Sequence, residues 1–259
     1  MKVVILAGGK GTRISEESYL RPKPMIEIGD MPILWHIMKM YSYYGYNEFI
    51  ICCGYKGYMI KEYFANYYLR MSDVTFDLKN ENKMFLHHNA AESWKVTLVD
   101  TGLESQTGYR IKKIQPYISP QECFMLTYGD GVADVDIQKL LQNHMNRGRI
   151  ATITAVQPTG KYGMLDITES GDVSSFIEKP KGDGGWINGG FMVLNYAVFD
   201  FLAVSEDLIF EREPLEALAQ KRQLNAYKHY GFWKAMDTMR DKDQLNEMWE
   251  ANKAPWRIW

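Results

Sequence analysis

Residues 6–13, LAGGKGTR, combine three glycines with a lysine, a threonine and an arginine directly after the apolar run MKVVI. Glycine lets the backbone approach a phosphate closely because it has no Cβ, and Arg13 can donate to two phosphate oxygens at once. The spacing matches neither the dinucleotide-binding loop, G-x-G-x-x-G, nor the Walker loop, which ends in G-K-[ST]. The sequence therefore predicts either an anion-binding loop of another kind or a tight turn that binds nothing.

A second cation lies ten residues after Arg13. Lys23 stands between Pro22 and Pro24, and the two prolines restrict the backbone, which lowers the entropy cost of fixing the lysine side chain. An ordinary solvated lysine is the alternative. Two fixed cations near one glycine loop favour a triphosphate as the ligand.

Two aspartates are candidate ligands for a metal ion. Asp130 follows the apolar run CFMLTYG, so it is expected at the carboxyl end of a strand, where ligands bind in open α/β sheets. With Asp237 in WKAMDT, it would give two carboxylates that suit Mg²⁺ together with phosphate oxygens and water. Each could instead cap a helix. Asp134 is a third candidate, but its position before VDIQKLL better suits the start of a helix.

The elements that must position these residues follow from an alternation along the chain. The apolar, β-branched runs VVILA, FIICC, CFMLTYG, ATITAV and FMVLN recur with helix-like segments between them. This alternation predicts an α/β fold with a Rossmann-like, mostly parallel (mixed) sheet and helices on both faces. We expect one domain over 1–259, with a β-hairpin excursion at about 66–98, a second hairpin around the turn ESGD, and a C-terminal helical and aromatic segment at about 240–259.

Composition excludes several classes of function. The formal net charge of −2 argues against a nucleic-acid partner, and no apolar run is long enough to span a bilayer, so we expect a soluble, cytoplasmic protein. Cys52, Cys53 and Cys123 lack the spacing of metal ligands and are expected to be small hydrophobic side chains. His87 and His88 have no accompanying ligand pattern and are expected in a loop or at a strand edge.

LAGGKGTR together with PKPM resembles the signature of the sugar-phosphate nucleotidylyltransferases. Three further stretches also resemble that family: YGDGVAD at 128–134, EKPKGDGGWINGGF at 178–191 and GFWKAMDT at 231–238. The resemblance covers essentially the whole chain. The stretches ILWHIMKMYS, FIICCGYKGY and KAPWRIW favour the branch that uses CTP and glucose 1-phosphate.

The resemblance implies that a sugar 1-phosphate oxygen attacks the α-phosphorus of CTP and expels pyrophosphate, with Mg²⁺ held by Asp130 and Asp237. Arg13, Lys23 and Lys179 are the implied catalytic residues, acting on the leaving pyrophosphate, the α-phosphate and the sugar phosphate. The implied nucleotide contacts are Leu6, Ala7, Gly8, Gly9, Lys10, Gly11, Thr12, Arg13, Lys23, Thr107, Gly108 and Gly129. The implied sugar-phosphate contacts are Tyr128, Gly163, Glu178, Lys179, Asn188 and Gly189.

Three alternatives stay open at this level. The same fold and chemistry could serve dTTP or UTP, or another sugar phosphate. The chain could also be a non-catalytic module that binds sugar nucleotides, although the retained charged residues argue against this. Members of the family assemble into tetramers or hexamers, so a homo-oligomer is expected.

Overall fold

A computed structural model describes residues 1–158, 164–168, 170–177 and 185–259. The strands are β1 (Val3–Ala7), β2 (Glu27–Ile28), β3 (Met31–Pro32), β4 (Glu48–Cys53), β5 (Ser72–Asp77), β6 (Lys83–Asn89), β7 (Lys95–Asp100), β8 (Cys123–Tyr128), β9 (Gly131–Ala133), β10 (Ala151–Val156), β11 (Met164–Ile167), β12 (Val173–Ile177), β13 (Ile187–Asn195), β14 (Leu224–His229) and β15 (Trp233–Ala235). The helices are α1 (Ser15–Ser18), α2 (Ile33–Tyr43), α3 (Gly57–Ala65), α4 (Tyr67–Arg70), α5 (Thr107–Lys113), α6 (Ile137–Arg147), α7 (Glu213–Gln220) and α8 (Met239–Glu250). Short 3-10 turns occupy Thr12–Ile14, Lys23–Met25, Gln115–Tyr117 and Tyr196–Phe201.

Seven of the described strands form the central sheet, in the order β14-β10-β13-β8-β1-β4-β7. β13 runs antiparallel to both of its neighbours, whereas the other pairings in this sheet are parallel. The predicted mostly parallel, mixed sheet is therefore confirmed. The parallel arrangement brings the carboxyl ends of β7, β4, β1 and β8 to one edge, where a ligand can bind.

Both faces of the sheet are covered. The five residues of β1 are all buried; Val3 and Ile5 pack into one apolar cluster with α2, while Val4 and Leu6 pack into a second with α5 and α7. This burial on two sides explains why the central strands are continuous apolar runs. In the described part of the chain, no helix is long and apolar enough to cross a membrane.

Several helix boundaries follow local signals. α6 begins after Asp136, whose side chain accepts a hydrogen bond from the Lys139 amide, and ends at Gly148 in the left-handed conformation. α2 begins directly after Pro32. The segment YMIKEYFANYYL, whose composition favours a helix throughout, is divided into α3 and α4 at Asn66, which lies outside the helical region at φ −102°.

The smaller sheets differ in part from expectation. β5 and β6 form an antiparallel hairpin inside 66–98, and β11 and β12, which flank the sequence ESGD, also pair antiparallel. β7, whose first residues we placed in the excursion, is the edge strand of the central sheet. β14, at the other edge, was not predicted, because a half-exposed edge strand does not present a continuous apolar run.

The aromatic C-terminus packs on its own chain. Trp256 is fully buried, and its indole lies near the buried His36 ring together with Trp249 and Trp259. Trp256 Nε1 approaches His36 Nδ1 at 3.4 Å, and His36 Nε2 lies 2.9 Å from the Ile28 carbonyl oxygen. Burial lowers the pKa of His36 to about 4, so the ring is neutral at pH 7.

Candidate active site

A cleft opens at the edge where the parallel strands end. Its volume is about 320 Å³, within the range of small-molecule sites. Of the predicted nucleotide contacts, all but Lys10 and Gly108 line it, and so do Tyr128 and Asp130. Pro24, Ser105, Gln106 and Arg110 also line it and were not predicted.

Two cations and two carboxylates meet at one end of the cleft. Lys23 Nζ lies 2.7 Å from Asp130 Oδ2 and 2.7 Å from Asp237 Oδ1, so a single ammonium joins both carboxylates. Arg13 Nη1 lies 2.7 Å from Asp237 Oδ2. The Lys23 side chain is 9 % exposed, whereas that of Arg13 is 73 % exposed and free to meet a ligand from solution.

Tertiary pairing brings Asp237 to Asp130 across more than a hundred residues. Asp130 follows β8, and the next strand, β9, pairs antiparallel with β15, which ends just before Asp237. The Met236 amide donates to the Asp130 carbonyl at 2.8 Å, which locks the two segments together. Asp134 does not join them: it pairs with His229, and Asp136 is the residue that caps α6.

Two carboxylates that share one cation fit a divalent ion whose other ligands come from a nucleotide. Mg²⁺ commonly takes one or two protein carboxylates plus phosphate oxygens and water. No cluster of three or more His, Cys, Asp and Glu side chains arranged for a metal ion occurs in the ranges that the structure describes. A site at Asp130 and Asp237 would therefore depend on the substrate for its remaining ligands.

The glycines of the loop after β1 have different roles. A Cβ at Gly8 would lie 2.1 Å from Arg110 Nη1, whereas a Cβ at Gly9 would meet nothing within 4 Å. Gly11 adopts φ 65°, a left-handed conformation that favours glycine. The Lys10 side chain points elsewhere and pairs with Glu104 at an exposed position. Close packing against Arg110 thus also requires glycine at position 8, in addition to the close approach of a phosphate that we predict for this loop.

Arg110 is a buried arginine that joins several segments around the cleft, and the sequence did not indicate this role. It is 4 % exposed; Nη1 donates to Thr101 Oγ1 and to the Gly102 carbonyl, both at 2.7 Å. Nη2 donates to the Gly8 carbonyl at 3.0 Å. Burial lowers the pKa of this guanidinium. In sequence Arg110 is one of several cations on a short helix, and no motif distinguishes it from a solvated one.

Glu211 was not predicted either, and it accepts hydrogen bonds from two hydroxyl groups that line the cleft. Thr107 Oγ1 donates to Glu211 at 2.5 Å and accepts from the Phe210 amide at 2.9 Å. The Tyr128 hydroxyl donates to the same carboxylate. The Gly108 amide donates to the Leu208 carbonyl at 2.8 Å, so this predicted contact faces the protein.

The predicted sugar contacts come together in part. Asn188 Nδ2 donates to the Tyr128 hydroxyl at 3.2 Å, and Trp233 Nε1 donates to the Gly189 carbonyl at 2.7 Å. Burial and the neighbouring Glu211 raise the pKa of Tyr128, which keeps its hydroxyl protonated as a donor. Gly163, Glu178 and Lys179 lie outside the described residues.

Comparison with known proteins agrees with this geometry. The model of the nucleotidyl transferase family matches residues 2–254, and the chain belongs to this family. Its sequence is 58 % identical to the glucose-1-phosphate cytidylyltransferase of Salmonella typhi over 259 residues, which cover 100 % of both chains. It is 44 % identical over the same full length to the probable glucose-1-phosphate cytidylyltransferase of Bacillus subtilis (strain 168).

Solved structures support the fold. HddC from Yersinia pseudotuberculosis aligns with a TM-score of 0.67 at 24 % identity, covering 96 % of this chain and 99 % of that one. A UDP-glucose pyrophosphorylase complexed with UDP-glucose aligns with a TM-score of 0.67 at 15 % identity, covering 97 % and 98 %. These similarities establish a Rossmann-like α/β nucleotidyltransferase fold.

Proposed function

We propose that this protein transfers the cytidylyl group of CTP to α-D-glucose 1-phosphate, giving CDP-glucose and pyrophosphate. The observation that carries the proposal is the joining of Arg13, Lys23, Asp130 and Asp237 at one end of a cleft lined by the glycine loop. The choice of CTP and glucose 1-phosphate is supported by the full-length similarity to the Salmonella and Bacillus cytidylyltransferases.

The charges of this cluster cancel, and that bears on the cofactor. Arg13 and Lys23 contribute two positive charges, and Asp130 and Asp237 contribute two negative ones. A bound triphosphate therefore needs further positive charge nearby. Mg²⁺ held by the two aspartates and by phosphate oxygens would supply it, neutralising charge that develops on the phosphates.

The chain's own groups then bind and orient the reactants. Lys23, released from one of its carboxylates, would reach the α-phosphate, while the exposed Arg13 would stabilise the leaving pyrophosphate. An oxygen of the sugar phosphate attacks the α-phosphorus, and the bond from that phosphorus to the β-phosphate oxygen breaks with its electron pair leaving on pyrophosphate. A phosphate monoester has a second pKa near 6, so its oxygen is already ionised and no general base is needed.

The sugar phosphate is expected beside Tyr128 and Asn188, whose hydrogen bond to each other defines one wall of the site. Lys179, in the segment outside the described residues, is proposed to neutralise its phosphate, with Glu178 and Gly163 near the sugar. Catalysis on this account is positioning and charge neutralisation, without a covalent intermediate.

We also propose a cytoplasmic homo-oligomer. The β5–β6 hairpin exposes apolar side chains that water does not favour, namely Phe76, Leu78, Met84 and Phe85. Sedimentation at micromolar concentration checks this, and a monomer alone would contradict it.

A nucleotide panel tests the proposed function. The purified protein is incubated with Mg²⁺, glucose 1-phosphate and CTP, UTP, dTTP or GTP in turn, and pyrophosphate release is measured against blanks without sugar phosphate. We expect release with CTP to exceed release with the others and a product with the mass of CDP-glucose. Preference for another nucleotide would move the assignment to another transferase of the family. Binding of CTP without pyrophosphate release from any sugar phosphate would favour a binding module.

A further inference from the structure

Glu211 lies behind two hydroxyl groups in the wall of the cleft. Its Oε2 accepts a hydrogen bond from Thr107 Oγ1 at 2.5 Å, and its Oε1 accepts one from the Tyr128 hydroxyl. Thr107 and Tyr128 both line the cleft. Because each carboxylate oxygen binds one hydroxyl, a single side chain fixes the direction of both O–H bonds. Glu211 therefore determines what these hydroxyls can offer to a ligand.

The chain segment that carries Glu211 is tied to the start of α5. The Gln106 amide donates to the Glu206 carbonyl and the Gly108 amide to the Leu208 carbonyl, both at 2.8 Å. Glu211 itself is half-buried. These backbone hydrogen bonds restrict the segment, so the carboxylate loses little further conformational entropy when it binds the two hydroxyls. The fold thus sets the position of Glu211 before any substrate arrives.

The Tyr128 hydroxyl can serve a ligand as a hydrogen-bond acceptor. Its one proton is donated to Glu211, and burial together with that carboxylate raises the pKa of Tyr128, so the proton stays on the hydroxyl. The same oxygen accepts from Asn188 Nδ2 at 3.2 Å. A hydroxyl whose proton is already used can only accept from a further group that reaches it.

Asn188 supplies a donor beside this acceptor. The Gly190 amide donates to Asn188 Oδ1 at 2.9 Å, which identifies the oxygen of the side-chain amide and leaves its nitrogen toward Tyr128. That nitrogen carries two hydrogens, of which Tyr128 accepts one, and Asn188 is exposed, so the second can meet a ligand. An acceptor and a donor 3.2 Å apart fit a hydroxyl group, which donates and accepts through one oxygen.

The charge of Glu211 favours a sugar hydroxyl over a phosphate at this point. A nearby carboxylate strengthens the acceptor character of the Tyr128 oxygen through their hydrogen bond, and it repels the oxygens of a phosphate. Glucose 1-phosphate has both kinds of group. It is therefore expected to bind with a hydroxyl at Tyr128 and with its phosphate turned away from Glu211.

We propose that Glu211 is a positioning residue of the sugar site: it holds the Tyr128 hydroxyl as an acceptor, so that Tyr128 Oη and Asn188 Nδ2 together bind one hydroxyl group of the sugar. This inference rests on the proposed function, because it assigns a residue that orients the sugar phosphate of that reaction.

Deoxy sugars test this contact. Pyrophosphate release with CTP and Mg²⁺ gives kcat/KM for glucose 1-phosphate and for its 2-, 3-, 4- and 6-deoxy analogues. The proteins compared are the wild type, Tyr128→Phe, Glu211→Gln, Glu211→Met and the double variant Tyr128→Phe/Glu211→Met. Glu216→Gln, which alters an exposed glutamate on α7, is the control. The measured quantity is the ratio of kcat/KM for glucose 1-phosphate to that for each analogue. A merely structural role does not move this ratio, because a loss of folded protein lowers both values equally.

For the wild type we expect at least one analogue to be used about 10-fold less well than glucose 1-phosphate, the loss typical of one buried hydrogen-bonded hydroxyl. In Tyr128→Phe and in Glu211→Met the ratio for that analogue should fall to about 3-fold or less, while the ratios for the other analogues stay at their wild-type values. Glu211→Gln, which keeps the size but has one accepting oxygen for two hydroxyls and no charge, should lie between. The double variant should match Tyr128→Phe, because both changes remove one contact. Glu216→Gln should match the wild type.

Wild-type ratios in Glu211→Met would overturn the inference. If that variant does not fold, wild-type ratios in the isosteric Glu211→Gln would overturn it equally. Lower activity with every sugar at unchanged ratios would assign Glu211 a structural role only, and a wild type that uses all four analogues as well as glucose 1-phosphate would exclude the hydroxyl contact. Failure of the proposed function looks different: the wild-type protein itself would release no pyrophosphate from CTP and glucose 1-phosphate.

Discussion

Lys23 offers the sharpest test of the charged cluster, because its ammonium is the cation that Asp130 and Asp237 share. Both contacts are 2.7 Å long, so the two carboxylate oxygens lie no more than about 5.4 Å apart, twice that contact. Lys23→Met keeps a side chain of similar length and removes the charge. The two carboxylates then face each other, and Arg13 pairs with Asp237 only.

The size of the effect follows from that separation. Two like charges about 5.4 Å apart repel by about 3 kcal/mol at an effective dielectric constant near 20. The carboxylates are 30 % and 29 % exposed, so water screens part of this repulsion. We expect the free energy of unfolding to fall by about 2 kcal/mol. Loss of a charge contact in the reaction should also reduce turnover by about 10²-fold or more.

Urea unfolding at pH 7 in EDTA measures the stability, with Lys95→Met as a matched control. Lys95 makes an exposed pair with Glu48 and its loss should cost well under 1 kcal/mol. In the double variant Lys23→Met/Asp130→Asn one of the two facing charges is gone, and most of the lost stability should return. A Lys23→Met protein as stable as the wild type, or no recovery in the double variant, would refute the argument from charge.

Two further predictions concern packing and pH. Gly8→Ala should lower the free energy of unfolding by about 2 kcal/mol, because its Cβ would meet the Arg110 guanidinium. The control Gly9→Ala has open space around its Cβ and should unfold at nearly the wild-type urea concentration. Equal urea midpoints for the two variants would contradict this prediction. Stability should also decline as the pH falls from 6.5 toward 4, because His36 binds a proton in the unfolded chain at 6.5 but in the folded protein only near pH 4. This one group contributes up to about 3 kcal/mol across that window, and His36→Gln should show a shallower decline in urea titrations.

The sheet was predictable where burial makes strands continuously apolar. Such runs are visible in the sequence of the strands that are wholly or largely buried, namely β1, β4, β8, β10 and β13. β14 was missed because all of its residues are half-buried or exposed, so this edge strand presents no continuous apolar run. The division between α3 and α4 at Asn66 is not visible in the sequence either, since the composition favours a helix on both sides of it.

The residues of the candidate site also fall into some that the sequence indicates and some that it does not. The glycine loop, Arg13 and Lys23 lie close in sequence, and their residue types indicate phosphate chemistry without a structure. Arg110 donates a hydrogen bond to Gly8, and Glu211 accepts one from Thr107; in both cases the partner is about a hundred residues away in the chain. No local pattern marks such residues, because the same types occur as ordinary solvated side chains.

The sequence by itself determined the class of fold and the chemistry, because local periodicity and residue type express burial and charge. Only the tertiary structure decided which groups meet. The β9–β15 pairing sets Asp237 beside Asp130, Lys23 joins them, and the Arg110 guanidinium occupies the space above Gly8. These contacts join segments far apart in the chain, and local sequence patterns do not indicate which distant segments lie close together in the folded protein.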